Sequence, residues 1–173
     1  MAVVLGYLFV RQEVDSRRGA MLKRISGTVF LASQLSPNDI RILKQRRIRT
    51  IVDMRPDGEV ARQPSSDEMR RAAQDAGIEF HYVPVPHDGI PDEAVAALIK
   101  IMESRLGESV LYCRTGRRAA RLFALASAAQ TGGPSADEIL RSVRTAGFTA
   151  DDLSERIEQL VSRRAIRRQS QKP

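Results

Sequence analysis

Cys113 is the only cysteine in the 173-residue chain, and the residues around it are arranged for anion chemistry. The run Val110-Leu-Tyr112 leads into Cys113-Arg114-Thr115-Gly116-Arg117-Arg118, and an alanine-rich helical pattern follows at once. A loop between a strand and a helix can turn successive backbone N–H groups inward at the positive end of the helix dipole. Gly116 lets the backbone curl there, and the arginines add charge. Such surroundings stabilise a thiolate over a thiol, and they also hold a tetrahedral oxyanion above it. Cys113 is therefore a candidate nucleophile and Arg118 a candidate two-pronged oxyanion donor. Arg114, Thr115, Gly116 and Arg117 would complete the substrate-binding loop. The competing reading makes Cys113 a small buried hydrophobe whose arginines are only the exposed first turn of a helix.

A loop of this kind works only if the elements around it aim it at a crevice. From residue 25 onward, strand-like and helix-like segments alternate. Gly27–Leu31, Arg49–Asp53, Ile78–Val85 and Ser109–Tyr112 read as strands. Ser36-Pro37 starts a helix to about Gln45, and Ser65 with Glu68 forms a capping box for a helix closed by Gly77. Pro91-Asp92-Glu93 opens a third helix, and another runs from the cysteine loop to about Ala129. Ser135 with Glu138 caps one that ends at Gly147. A last amphipathic helix starts near Ala150. This pattern predicts an α/β fold of three layers: a mostly parallel central sheet of four to five strands, flanking helices, and C-terminal helices as a cover. Ligands of such sheets bind beyond the carboxyl ends of the strands, where Cys113 lies.

Composition narrows the classes. Apolar residues make up 42% and charged residues 28% of the chain, as in a globular domain. The net charge is +7, but its densest clusters, Arg17-Arg18 and Arg163-Arg164 with Arg167-Arg168, lie near the ends. No nucleic-acid motif accompanies them. The opening apolar run VVLGYLFV is too short to cross a bilayer and lacks the flanks of a secretory signal. Residues 1–21 are expected to be an arm, 22–162 the catalytic domain, and 163–173 a basic tail. The lone cysteine suits a reducing, cytoplasmic setting. With two histidines and one cysteine, no metal cluster is expected, and no cofactor. Composition does not speak to oligomeric state.

The stretches RPDGEVARQPSS (55–66), FHYVPVPHDGI (80–90) and LYCRTGRRAA (111–120) resemble the bacterial beta-lactamase hydrolase-like family with a phosphatase-like domain, over about residues 23–162. Some members are labelled rhodanese-like sulfur transferases. The resemblance implies a dual-specificity or protein-tyrosine-phosphatase-like fold, with Cys113 as nucleophile, Arg118 as oxyanion-binding arginine, and the amides of 114–118 lining the cup. It also implies a general acid in the loop that follows the strand before the cysteine strand, residues 86–92. Asp88 is the first choice there, ahead of His87 and Asp92, although Asp-Gly is also ordinary turn chemistry.

Arg55, at the end of another strand, is expected to support the cysteine loop. Asp57 and Glu59 beside it either face the same crevice or form a structural corner. His81, alternating within a strand, reads as a core or edge residue. Typical phosphatase loops place five residues between cysteine and arginine; here four intervene. Tyr112 stands where a histidine is usual, and Ala119 where a hydroxyl residue follows the arginine. A cysteine phosphatase acting on an anionic phosphoester is therefore the leading reading. Transfer of sulfur through a Cys113 persulfide is the alternative, and an anion- or partner-binding module without turnover is the third.

Overall fold

Strands Thr50–Asp53 and Ser109–Tyr112 are buried along their whole length, as parallel strands covered on both faces must be. They are β3 and β5 of a five-stranded sheet in this computed structural model, which describes residues 21–104 and 107–170, with side chains to 167. The strand order is β1-β2-β5-β3-β4, with β1 at Lys23–Ser26, β2 at Val29–Ala32 and β4 at Glu79–Tyr82. β1 pairs antiparallel with β2; every other pairing is parallel. The register aligns Ala32, Asp53 and Tyr112, with Tyr82 opposite Asp53. Four carboxyl ends therefore open on one edge of the sheet.

Side chains alternate across the sheet and build a core on each face. Ile51, Val110 and Tyr112 pack with Ile40 and Leu43 of α1 (Pro37–Gln45) and with Met69 and Ala73 of α2 (Ser66–Ala76). On the other face, Leu31, Val52 and Leu111 join Leu98 of α3 (Asp92–Glu103) and Leu122 and Leu125 of α4 (Arg117–Ala129). Ile139 of α5 (Ala136–Thr145) and Ile157 of α6 (Ser154–Ser170) complete that core. α4 is buried on nearly every side, which explains its run of alanines: small side chains let α3, α5 and α6 approach its backbone. Each fully buried Leu or Ile contributes about 1.5–3 kcal/mol. The three-layer α/β architecture with C-terminal helices is thus the one expected.

Three local differences separate sequence pattern from structure. The first β-run is a hairpin turning at Gly27-Thr28, because Lys23–Ser26 buries little beyond Ile25 and so carries almost no hydrophobic signal. β4 stops at Tyr82 rather than Val85, since Pro84 and Pro86 have no N–H to continue the ladder. α6 continues through Ser170, past the point where its apolar spacing fades. Its Arg164 turns back onto the end of α4, donating from Nη1 to the Ser127 and Ala128 carbonyls at 2.9 and 3.2 Å and from Nη2 to the Gly133 carbonyl at 2.8 Å. Carbonyls that a helix end leaves unpaired are thereby satisfied. The expected N-terminal arm, apart from Met21, and the last three residues of the basic tail lie outside the described residues. No helix among the described residues is long and apolar enough to cross a membrane.

Candidate active site

β5 ends at Tyr112 and α4 begins at Arg117, so Cys113–Gly116 span the gap between the central strand and the central helix. Gly116 is the N-cap of α4 with φ of 88°, in the left-handed region. A side chain there would meet strain from the backbone and the ring of Phe148, whose Cζ lies 2.7 Å from the position of a Cβ. This curl turns the Gly116 N–H onto the Cys113 Sγ at 3.2 Å. Cys113 is only 1% exposed, at the floor of the loop.

Arg118, in the first turn of α4, is fixed from outside its own helix. Its Nη1 donates to Glu59 Oε1 at 2.5 Å and to the Val85 carbonyl at 2.6 Å, and its Nη2 donates to Glu59 Oε2 at 2.9 Å. This forked pairing leaves the Nε–H and one Nη2 hydrogen for another acceptor. Burial opposes the charge on Arg118, but Glu59 and the neighbouring Cys113 outweigh it and raise its pKa. Glu59 responds in the opposite sense: the hydrogen bonds from Arg118, against burial and with help from Arg55, hold its pKa down at about 2.

Arg55 follows the end of β3 and is buried. Its Nε donates to Glu59 Oε2 at 2.8 Å and its Nη1 to Gln34 Oε1 at 2.7 Å. Gln34, just past β2, donates its backbone N–H to the Arg114 carbonyl at 3.3 Å. Residues following β2, β3 and β5 are therefore linked into one frame around the cysteine loop. The forked partner of Arg118 and the link through Gln34 are not visible in the sequence. The signal for Glu59 is its place four residues after Arg55 in RPDGE; for Gln34 there is only its position past a strand end.

The loop opens into a cleft of about 520 Å³ lined by His87, Arg114, Thr115, Arg117, Arg118, Arg121 and Asp152. The substrate-binding residues expected from the sequence thus meet around one cavity, with Gly116 buried beneath them. Arg121 is tied to Asp152 by a forked pair at 2.5 and 2.7 Å. His87 is 71% exposed, with Nε2 3.5 Å from Glu59 Oε1. Asp88 is exposed and is not among the cleft-lining residues. Asp92, the first residue of α3, pairs with Arg156 at 2.6 Å and is not among the cleft-lining residues. His81 lies on the edge strand β4, with Nε2 2.9 Å from Glu79 Oε1.

Asp57 has a structural task, accepting from the backbone N–H and the hydroxyl of Ser66 at 2.7 and 2.6 Å where α2 begins. Asp53, at the end of β3, is pushed up to about 6 by burial, against the pull of the Arg55 N–H that it accepts at 2.9 Å and of the nearby Tyr112. Burial, and then the charge of Asp53, also raise the pKa of Tyr112, whose buried hydroxyl has no partner within hydrogen-bonding limits. Among the described residues, no group of three His, Cys, Asp or Glu side chains gathers where it could hold a metal ion.

A parallel sheet whose central strand delivers a cysteine loop and a framed arginine to a helix N-terminus is the architecture of protein-tyrosine-phosphatase-like domains. The solved structure of a candidate phosphatase from Neisseria meningitidis Z2491 superimposes with a TM-score of 0.67 at 29% identity, covering 79% of this chain and 96% of that one. A second, Tk-PTP in its active form, shares the fold with a TM-score of 0.65 at 21% identity, covering 82% and 97%.

Residues 22–130 match the beta-lactamase hydrolase-like protein, phosphatase-like domain family, and the chain belongs to that family. The beta-lactamase hydrolase-like protein of Xylella fastidiosa Temecula1 is 30% identical over 101 residues, which cover 58% of this chain but only 23% of the relative. The chain thus matches about a quarter of the length of that relative. The family description and the Neisseria structure carry the word phosphatase, and none of these matches lends sulfur transfer support.

Proposed function

We propose that this domain is a thiol-dependent phosphatase that hydrolyses an anionic phosphoester through a cysteinyl-phosphate on Cys113. The observation that carries the reading is the convergence on one sulfur: the Gly116 N–H at 3.2 Å, with Arg118 oriented beside it by Glu59 and Val85. The Cys113 thiolate attacks phosphorus, an S–P bond forms, and the bond to the leaving oxygen breaks with its electron pair. The loop amides and Arg118 stabilise charge on the equatorial oxygens. The leaving oxygen takes a proton from the 86–90 loop, with Asp88 as donor and cleft-lining His87 as its competitor. Water then attacks phosphorus, the S–P bond breaks, and the thiolate returns as phosphate leaves. Arg55 acts through Gln34 and Glu59, holding the frame.

The count of four residues between Cys113 and Arg118 is the observation on the side of sulfur transfer, because a smaller ring resembles persulfide-carrying loops. One experiment separates the readings: turnover and intact mass with an aryl phosphate and with thiosulfate, for wild type and Cys113→Ser. We expect phosphate release to fall by on the order of 10⁴-fold or more in the variant, with a phosphate adduct trapped on wild type only. A sulfur adduct with cyanide-dependent transfer would replace the phosphatase reading with the transferase. Equal background in both proteins, with phosphate still bound, would leave a binding module. Asp88→Asn and His87→Asn, compared on a poor leaving group, identify the acid by which one flattens the pH–rate profile.

A further inference from the structure

The cleft that the cysteine loop lines is far larger than one phosphate group, and its charges are unequally matched. Arg118 is paired with Glu59, and Arg121 with the cleft's own carboxylate, Asp152. Arg114 and Arg117 are exposed and line the same cleft, with no carboxylate within ion-pair distance among the described residues. Thr115 adds a hydroxyl between them in sequence, and His87 lines the same cavity. The lining holds no aliphatic side chain and no phenyl, phenol or indole ring. Pockets that accept an aryl or lipid-like group are walled mainly by such side chains.

We infer that the substrate carries at least two phosphate groups on a small, non-aromatic scaffold: one over Cys113 against Arg118, the next on Arg114 and Arg117. Guanidinium groups take phosphate oxygens in pairs, and each charge-assisted hydrogen bond is among the stronger polar contacts. The inference rests on reading the Cys113 loop as a phosphate-handling site, and it adds a second anion subsite beside it. The carrier could be a soluble polyphosphorylated compound or the headgroup of a lipid, and the test includes both.

Binding is measured on Cys113→Ser protein at 0.15 M salt, so that turnover does not interfere. The probes are inorganic phosphate, tripolyphosphate, a phosphotyrosine peptide, and phosphatidylcholine vesicles with or without a bisphosphorylated inositol lipid. Tripolyphosphate, the bisphosphorylated vesicles, or both should bind about 10-fold or more tighter than phosphate, as one added charge-assisted contact implies. Arg114→Gln with Arg117→Gln should erase that preference, weakening the polyphosphorylated probes by about 10-fold more than inorganic phosphate. Arg41→Gln with Arg46→Gln removes the same charge from exposed positions on α1 and its C-cap and should leave the preference intact; if it erases it equally, binding is only net charge and the inference fails.

Equal affinity for phosphate and the polyphosphorylated probes, a preference that survives the Arg114/Arg117 change, or tightest binding of the phosphotyrosine peptide would each overturn it. Loss of the cysteine-dependent mechanism would look different: aryl phosphate turnover would persist in Cys113→Ser whatever the binding results.

Discussion

Helices α2 and α4 begin on opposite faces of the same sheet, and their first turns follow opposite rules. At α2, the Ser65 side chain accepts from the Glu68 N–H while Glu68 returns the bond to the Ser65 N–H, and Asp67 and Glu68 place negative charge on the positive dipole end. α1 and α5 repeat the scheme with Ser36 and Asp39, and with Ser135 and Glu138. At α4 the cap is a left-handed glycine without a side-chain bond, and the first turn holds Arg117 and Arg118 and no acid. Among the described residues it is the one α-helix without an acid in its first turn. Cations there oppose the dipole by about 0.3–1 kcal/mol each. The comparison teaches where this fold gives up helix stability: at the start with no side-chain cap and only positive charge in its first turn, which the proposed function assigns to the anion.

The contrast breaks most sharply at Arg118. Lysine cannot reproduce the fork onto Glu59 while reaching Val85, so Arg118→Lys should lower aryl phosphate turnover by about 10²–10³-fold. Rescue to near wild-type turnover would show that charge alone suffices.

A second test sets the site edge against the frame by pH. Asp53 has a folded pKa near 6 against an ordinary value of 3.8, so folding favours its protonated form. Stability from this group therefore rises as pH falls through that window and is lost as pH rises above it. Glu59 has the opposite sign: lowered from 4.5 to about 2, it contributes above 4.5 and its contribution fades as pH falls toward 2. Thermal melting should show wild type gaining between pH 7 and 5 relative to Asp53→Asn, with the difference gone if Asp53 ionises normally.

Smaller effects sharpen the helix starts. Ser135→Ala should cost about 1 kcal/mol, some 2–4 °C in Tm, and leave turnover unchanged. Arg117→Glu gives α4 the ordinary acidic first turn; it should stabilise the protein by about 0.3–1 kcal/mol while raising KM for an anionic substrate. If KM stays level, Arg117 does not face the bound anion.

The capping boxes at Ser65 and Ser135 and the Ser36-Pro37 pair made three helix starts readable residue by residue, because each is a local rule carried by a few consecutive residues. The cysteine loop was readable for the same reason. The β1 hairpin was not, since a short charged edge strand has almost no hydrophobic period. Nor was the partner of Arg118, because Glu59 lies 59 residues away and only the sheet's register brings the two together. Arg164 in α6 stayed hidden because a side chain satisfying carbonyls leaves no periodic trace.

The similarity that defines the family ends at residue 130, just beyond α4. Yet Phe148 fills the space against Gly116, Asp152 holds Arg121, and Arg164 covers the carbonyl end of α4, all from beyond that limit. The segment that matches the family and the segment that packs as one unit are therefore different lengths. A graft of residues 22–130 alone would present α4's buried face to solvent and remove one wall of the cleft, so the portable unit for any chimera must extend into α6.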